Sequence, residues 1–272
     1  MQELLNNPAV QAGFAPFLVA LIVVELFRRT RLSGLAIIAG FAVTVYLASD
    51  FNMEPLTAAR KIVLLGSISA LLALVLTLFQ SRWFGWLLPV LGCAAAIWTV
   101  QRILQHQEPQ VALLWGAGCA AYVAILVWAM ETLYDQEPLR AASAATALGI
   151  GTGGAALVGA SALLGQFGLA LGSAAAAHLL LQMASNKPLP TGRTFTLPLA
   201  VIAGLTGCLA VLSAELPWYV LPILAAIPVL ARFAPLPNRS VRIRILLLSI
   251  LAFALVAVAI YMTWRVAGGV PI

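Results

Sequence analysis

Gly149-Ile150-Gly151-Thr152-Gly153-Gly154 opens an Ala/Gly-rich run that ends near His178. Its spacing resembles a dinucleotide-binding GxGxxG, but no strand precedes it and it lies inside an apolar span, so a dinucleotide fold is excluded by context. Two readings remain. Gly149/Gly153, Gly151/Ala155 and Gly168/Gly172 have the small-xxx-small spacing that lets membrane helices approach closely. Alternatively, the glycines interrupt a helix and free backbone groups to line a ligand site, as in transporters built from inverted repeats. On that second reading the run starts a second half of the chain. Its counterpart near the N-terminus is Gly13-Phe14-Ala15-Pro16.

The composition supports the membrane setting. The 272 residues are 62% hydrophobic and 9% charged, with a mean hydropathy of +1.02, whereas soluble domains are about 25% charged. Apolar runs recur at lengths suited to a hydrocarbon core about 30 Å thick. The spacing predicts ten helices, over 9–27, 32–49, 62–80, 84–102, 111–130, 141–164, 167–185, 196–214, 217–232 and 243–265. Backbone groups cannot stay unpaired in lipid, so these spans read as helices. The expected fold is an all-α polytopic membrane protein with halves 1–135 and 136–272 and no soluble domain.

Charge gives the orientation. With the N-terminus outside, the inner connections hold eleven of the fifteen Lys and Arg residues; the outer ones hold Arg60, Lys61, Arg102 and Arg265. The positive-inside rule favours N-out/C-out on that count. The first residues lack the basic start of a cleavable signal peptide, and Arg28, Arg29 and Arg31 follow the first span, which reads as a retained helix. The net charge of +6 is explained by these loops, so nucleic acid is not an expected partner. The seven tryptophans lie mostly near helix ends, as interfacial aromatic residues do.

Ordered similarities join the halves. Gly34-Leu35-Ala36 to Leu47-Ala48-Ser49 matches Gly168-Leu169-Ala170 to Met183-Ala184-Ser185, and both are followed by P-L-x-x-x-R, ending at Arg60 and Arg193. Trp86-Leu87-Leu88-Pro89 matches Trp218-Tyr219-Val220-Leu221-Pro222. The shift is five helices, and since five is odd, a 5+5 duplication would be inverted. In length and 5+5 plan the chain is similar to the drug/metabolite transporter superfamily. That resemblance implies a carrier with both termini inside, opposite to the charge bias here.

The candidate substrate-binding set is therefore Gly13 and Pro16 in helix 1, with Gly149, Gly151, Thr152, Gly153 and His178 in the second half. A second Gly/Pro pair is Pro89 with Pro222/Pro228. Arg60 and Arg193 would be gate charges at the two mouths or snorkelling interface anchors. Glu25 is expected to pair with Arg28 or Arg29, three and four positions on. Glu131, Asp135 and Glu137 are expected to form a solvated cluster pairing with Arg140. Cys93, Cys119 and Cys208 have no CxxC spacing and read as packing residues rather than metal or redox groups.

Two histidines do not supply the paired axial ligands of a membrane haem protein, and no HExxH, GxSxG or P-loop pattern occurs. No cofactor, metal site or catalytic residue is expected, and no enzymatic activity. The scarcity of buried carboxylates argues against a conventional proton relay. The leading expectation is a carrier for a small neutral or weakly polar solute in an inner (plasma) membrane, working by alternating access. The alternative is a non-catalytic structural or assembly subunit of a larger membrane complex. The expected partners are the lipid bilayer, such a solute, and other membrane subunits.

Overall fold

A computed structural model describes residues 7–49, 54–78, 84–213, 216–236 and 240–268; the side chains of Leu78, Phe84, Tyr134, Asp135 and Gln136 lie outside that description. Among the described residues there are ten helices and no strands. They are α1 (Val10–Leu26), α2 (Arg31–Ser49), α3 (Ala58–Leu78), α4 (Phe84–Leu104), α5 (Pro109–Gln136), α6 (Pro138–Gly159), α7 (Ala162–Ser185), α8 (Arg193–Ser213), α9 (Val220–Phe233) and α10 (Val241–Val266). Eight are long and apolar enough to cross a membrane; α1 and α9 are shorter apolar helices. The protein is thus a multi-pass all-α membrane protein.

In lipid, burial does not sort polar from apolar; it sorts small from large, because helices associate through close van der Waals packing. The buried face of α6 is almost entirely Ala, Gly, Ser and Thr. Large side chains such as Ile22, Leu26, Trp86, Leu113, Leu114 and Ile250 face outward. The most enclosed helix is α8, with 94% of its span buried against 28% for α4 and for α10. Around it pack α3, α4, α5, α6 and α7. On one flank α1 and α2 lie on α7, and on the other α9 and α10 lie on α6.

The packing is not the same in the two halves. A two-fold relation would make α1 meet α5 as α6 meets α10, and α2 meet α6 as α1 meets α7. The contacts α6–α10 and α1–α7 are extensive; α1–α5 and α2–α6 have no comparable packing. The second half supplies the centre of the bundle and the first half is wrapped on it.

The turn expected near Gln166 lies instead at Ala160–Ser161. There the Ser161 hydroxyl accepts the Leu164 N–H at 3.2 Å and starts α7, the ordinary work of an N-cap serine.

Candidate functional site

The glycine run is closed by its neighbours. A Cβ on Gly149 would lie 2.6 Å from Gly172 Cα, one on Gly153 would lie 2.8 Å from Gly165 O, and one on Gly172 would lie 2.6 Å from Ile150 N. The α6 pair Gly149/Gly153 therefore sits backbone-to-backbone on the α7 pair Gly168/Gly172. Gly151 faces another way, 2.9 Å (as a Cβ) from Leu224 of α9 and 3.1 Å from Val256 of α10. The helix α6 runs unbroken through all of them. Of the two readings of these residues, packing is the one they occupy; no space is left for a ligand at Gly149, Gly151 or Gly153.

In α1 the interruption is real. Residues Val10–Phe14 form a π-turn just before Pro16. Proline has no N–H to offer the carbonyl four residues back, which here is Ala12. That carbonyl accepts from the Ser173 hydroxyl of α7 at 3.2 Å, and the Gln11 carbonyl accepts from Thr44 at 2.7 Å. The Gln11 side chain donates to Leu47 O at 3.0 Å. The released backbone groups thus bind α1 to α2 and α7 through hydroxyls. A Cβ on Gly13 would meet nothing within 4 Å.

His178 is fully buried in α7. Gln182, one turn on in the same helix, donates to its Nδ1 at 2.9 Å, and the Phe195 ring of α8 lies 5.0 Å away between centroids. Nearby, the Ser33 hydroxyl donates to Pro190 O at 2.7 Å and Thr194 donates to Arg31 O at 2.9 Å. His178 belongs to this junction of α2, α7 and the α7–α8 loop, away from the glycine run.

Among the charged residues, Glu25 and Arg28 form the expected helical pair at 3.3 Å, well exposed. Arg60 is half-buried and donates to Pro55 O, in its own loop, at 2.6 Å. Its sequence counterpart Arg193 is placed quite differently: its Nε lies 2.9 Å from Glu131 Oε2, and Thr196 donates to Oε1 of the same carboxylate at 3.2 Å. Glu131 is only 5% exposed. The expected solvated cluster is thereby corrected: Glu131 fastens α5 to α8, while Glu137 takes Arg140 at 3.3 Å. The reason is depth, since Glu131 lies more than a turn inside the end of α5. Asp135 falls among the side chains outside the described set.

A cavity among the described residues has the size and form of a ligand site. It is a half-open groove of about 530 Å³ between α5 and α9, lined by Leu114, Trp115, Gly118, Cys119, Ala121, Tyr122, Ile125, Trp218, Leu221, Pro222 and Ala225. Small-molecule sites usually span about 300–1,000 Å³. Its wall is almost wholly apolar, and Leu114, Ile125 and Trp218 at its edges face out of the bundle.

Tyr122 stands at the midpoint of α5 and forms the floor of this groove. Its hydroxyl passes inward, where a Cβ on Gly207 of α8 would lie 3.2 Å from it. Tyr122 and Thr152 of α6 turn toward each other, and neither hydroxyl has a well-formed partner among the described residues. Behind them Cys208 Sγ approaches Cys119 O at 3.6 Å, a weak interhelical contact between small packing residues. Of the sequence-derived candidates, Pro222 lines the groove, and Thr152 lies behind Tyr122 without lining it. Sequence reasoning missed Gly118, Trp115 and Trp218 as groove residues. The available signal was Gly118 in an apolar span with large residues, Leu114 and Tyr122, four positions to either side, so that it extends no small-xxx-small stripe.

No family model matches the chain, no curated protein is detectably similar to it, and no solved structure matches its fold.

Proposed function

We propose that the protein is a membrane carrier for a small neutral or weakly polar solute, and that the solute binds in the α5–α9 groove. The observation that carries this reading is a half-open, almost wholly apolar cavity with Tyr122, at the midpoint of α5, in its lining. Apolar walls with a few polar groups at one end are how small-molecule sites combine affinity with orientation. The halves would be related by descent, as the ordered sequence matches suggest, with rocking about α8 in place of the glycine run. The Glu131–Arg193 pair fits a latch: it ties the groove wall α5 to the central helix at the charge-rich end. The loop charges support an N-out/C-out orientation, and the membrane proposed for it is an inner (plasma) membrane.

The test is solute-driven swelling of proteoliposomes, followed by light scattering, across a panel of small neutral solutes. At least one solute should enter faster than in protein-free vesicles, and Gly118→Leu, which fills the groove, should return that rate to the background. Equal rates with and without protein for every solute would remove the carrier reading.

A second reading rests on the same groove. It opens sideways to the bilayer and its wall is almost entirely apolar, which also suits a transmembrane helix of another protein. The chain would then be a structural or assembly subunit. Intact-complex mass spectrometry after gentle purification from the native membrane separates the two: a fixed stoichiometry with another protein favours the subunit.

A further inference from the structure

Apart from the groove, the corner where α6 begins, α9 ends and α10 begins concentrates positive charge. Arg140 of α6 sends one guanidinium nitrogen to three carbonyls at the end of α9: Ala231 at 2.5 Å, Ala234 at 2.9 Å and Arg232 at 3.1 Å. It shares Glu137 with Arg244 of α10. Arg232 lies over the rings of Trp128, 5.2 Å from its centroid, and Phe233, at 5.4 Å. Arg140 and Arg244 thus share one carboxylate, while Arg232, at the end of α9, lies against aromatic rings. Two of their N–H groups, Arg232 Nη1 and Arg244 Nε, are buried with no partner among the described residues.

A buried guanidinium N–H without an acceptor is costly, and the fork of a guanidinium matches the paired oxygens of a phosphate. At a helix-end corner of a membrane protein, phosphate is present at high density in the adjoining leaflet. Basic pockets between transmembrane helices bind anionic head groups for this reason. The exposed Phe233 ring beside Arg232 gives the acyl chains of such a molecule an apolar shoulder. We propose that this corner holds the phosphate of an anionic glycerophospholipid, with Arg232 and Arg244 as its ligands and Arg140 as the residue that fixes the end of α9 beneath it.

The experiment titrates the purified full-length chain in neutral detergent with phosphatidylglycerol, phosphatidylcholine or inorganic phosphate, and follows the thermal unfolding midpoint to obtain an apparent affinity. Phosphatidylglycerol should stabilise the protein at concentrations about ten-fold or more below phosphatidylcholine. Arg232→Gln and Arg244→Gln should each weaken that preference about five-fold, as expected for one basic group at an anionic surface. Arg232→Lys, which keeps the charge without the fork, should retain part of it. Arg28→Gln, at the same end of the bundle but outside the corner, should retain all of it. Equal stabilisation by the two lipids overturns the proposal, as does an undiminished preference in folded Gln variants. A shift of the same size with inorganic phosphate alone overturns the lipid assignment in favour of a soluble anion.

Discussion

The α6–α7 seam and the α5–α9 groove are built from the same apolar alphabet with opposite results. In the seam, glycines four apart on one helix meet glycines four apart on the other, so the two backbones touch and nothing else fits. In the groove, Gly118 of α5 faces no backbone at all: a Cβ there would find nothing within 4 Å. The difference is registration. A glycine closes an interface when something fills the space before it: backbone does so at Gly149 and Gly153, and the Leu224 and Val256 side chains do so at Gly151. Nothing does so at Gly118, which lies in the lining of the groove with Trp218 and Pro222.

The largest effect is expected where the seam is broken outright. Gly153→Leu has to displace the Gly165 carbonyl and the backbone at Gly168, and overpacking against backbone exceeds the usual cost of about 1–3 kcal/mol. Little folded protein should survive extraction, as judged by monodisperse elution. Next comes the pin that holds the groove wall to the centre. Glu131→Gln leaves Arg193 buried beside a neutral amide, which should cost about 3 kcal/mol and lower the unfolding midpoint in detergent without loss of expression. Tyr122→Phe removes a hydroxyl that lacks a good partner, so its cost should stay below about 1 kcal/mol, while any solute response of the groove changes. Smallest is Gly118→Ala: with open space for the methyl and the better helix propensity of alanine, it should stabilise by up to about 1 kcal/mol. If Gly118→Ala and Gly153→Ala shift the unfolding midpoint alike, the contrast between seam and groove is wrong.

Much of the fold could be read from the chain. Most of the ten spans match because they are long apolar runs bounded by charged or polar connections; 84–102, for instance, is the helix Phe84–Leu104. The break between α6 and α7 was misplaced by several residues, because Ser161 is a single small polar residue in a run of Ala, Gly and Leu, whose cap geometry has no compositional signature. The Gly149/Gly153 and Gly168/Gly172 spacings were visible, and so was their suitability for packing. That they pack on each other was not, since spacing gives a face but no partner. Arg60 and Arg193 share a sequence frame yet differ in surroundings: one caps its own loop and the other is paired with a carboxylate 62 residues away. Pro222 was marked as part of a Gly/Pro pair, but its meeting with Tyr122 and Gly118 was illegible, because the two walls are about a hundred residues apart and nothing in either names the other.

The helix α9 has 14 residues, and α5 has 28. At 1.5 Å per residue they extend about 21 Å and about 42 Å, against a hydrocarbon core of about 30 Å. The two walls of the groove therefore disagree on how thick the membrane should be. One must tilt or extend beyond the core while the other draws the bilayer inward, with Arg140 anchored to the carbonyls where the short wall stops. Lipid tails beside the groove are thinned on one side and stretched on the other, so the opening between α5 and α9 is coupled to chain length in the surrounding membrane. Shorter acyl chains relieve α9 and longer ones strain it, which makes bilayer thickness a variable that acts on this opening.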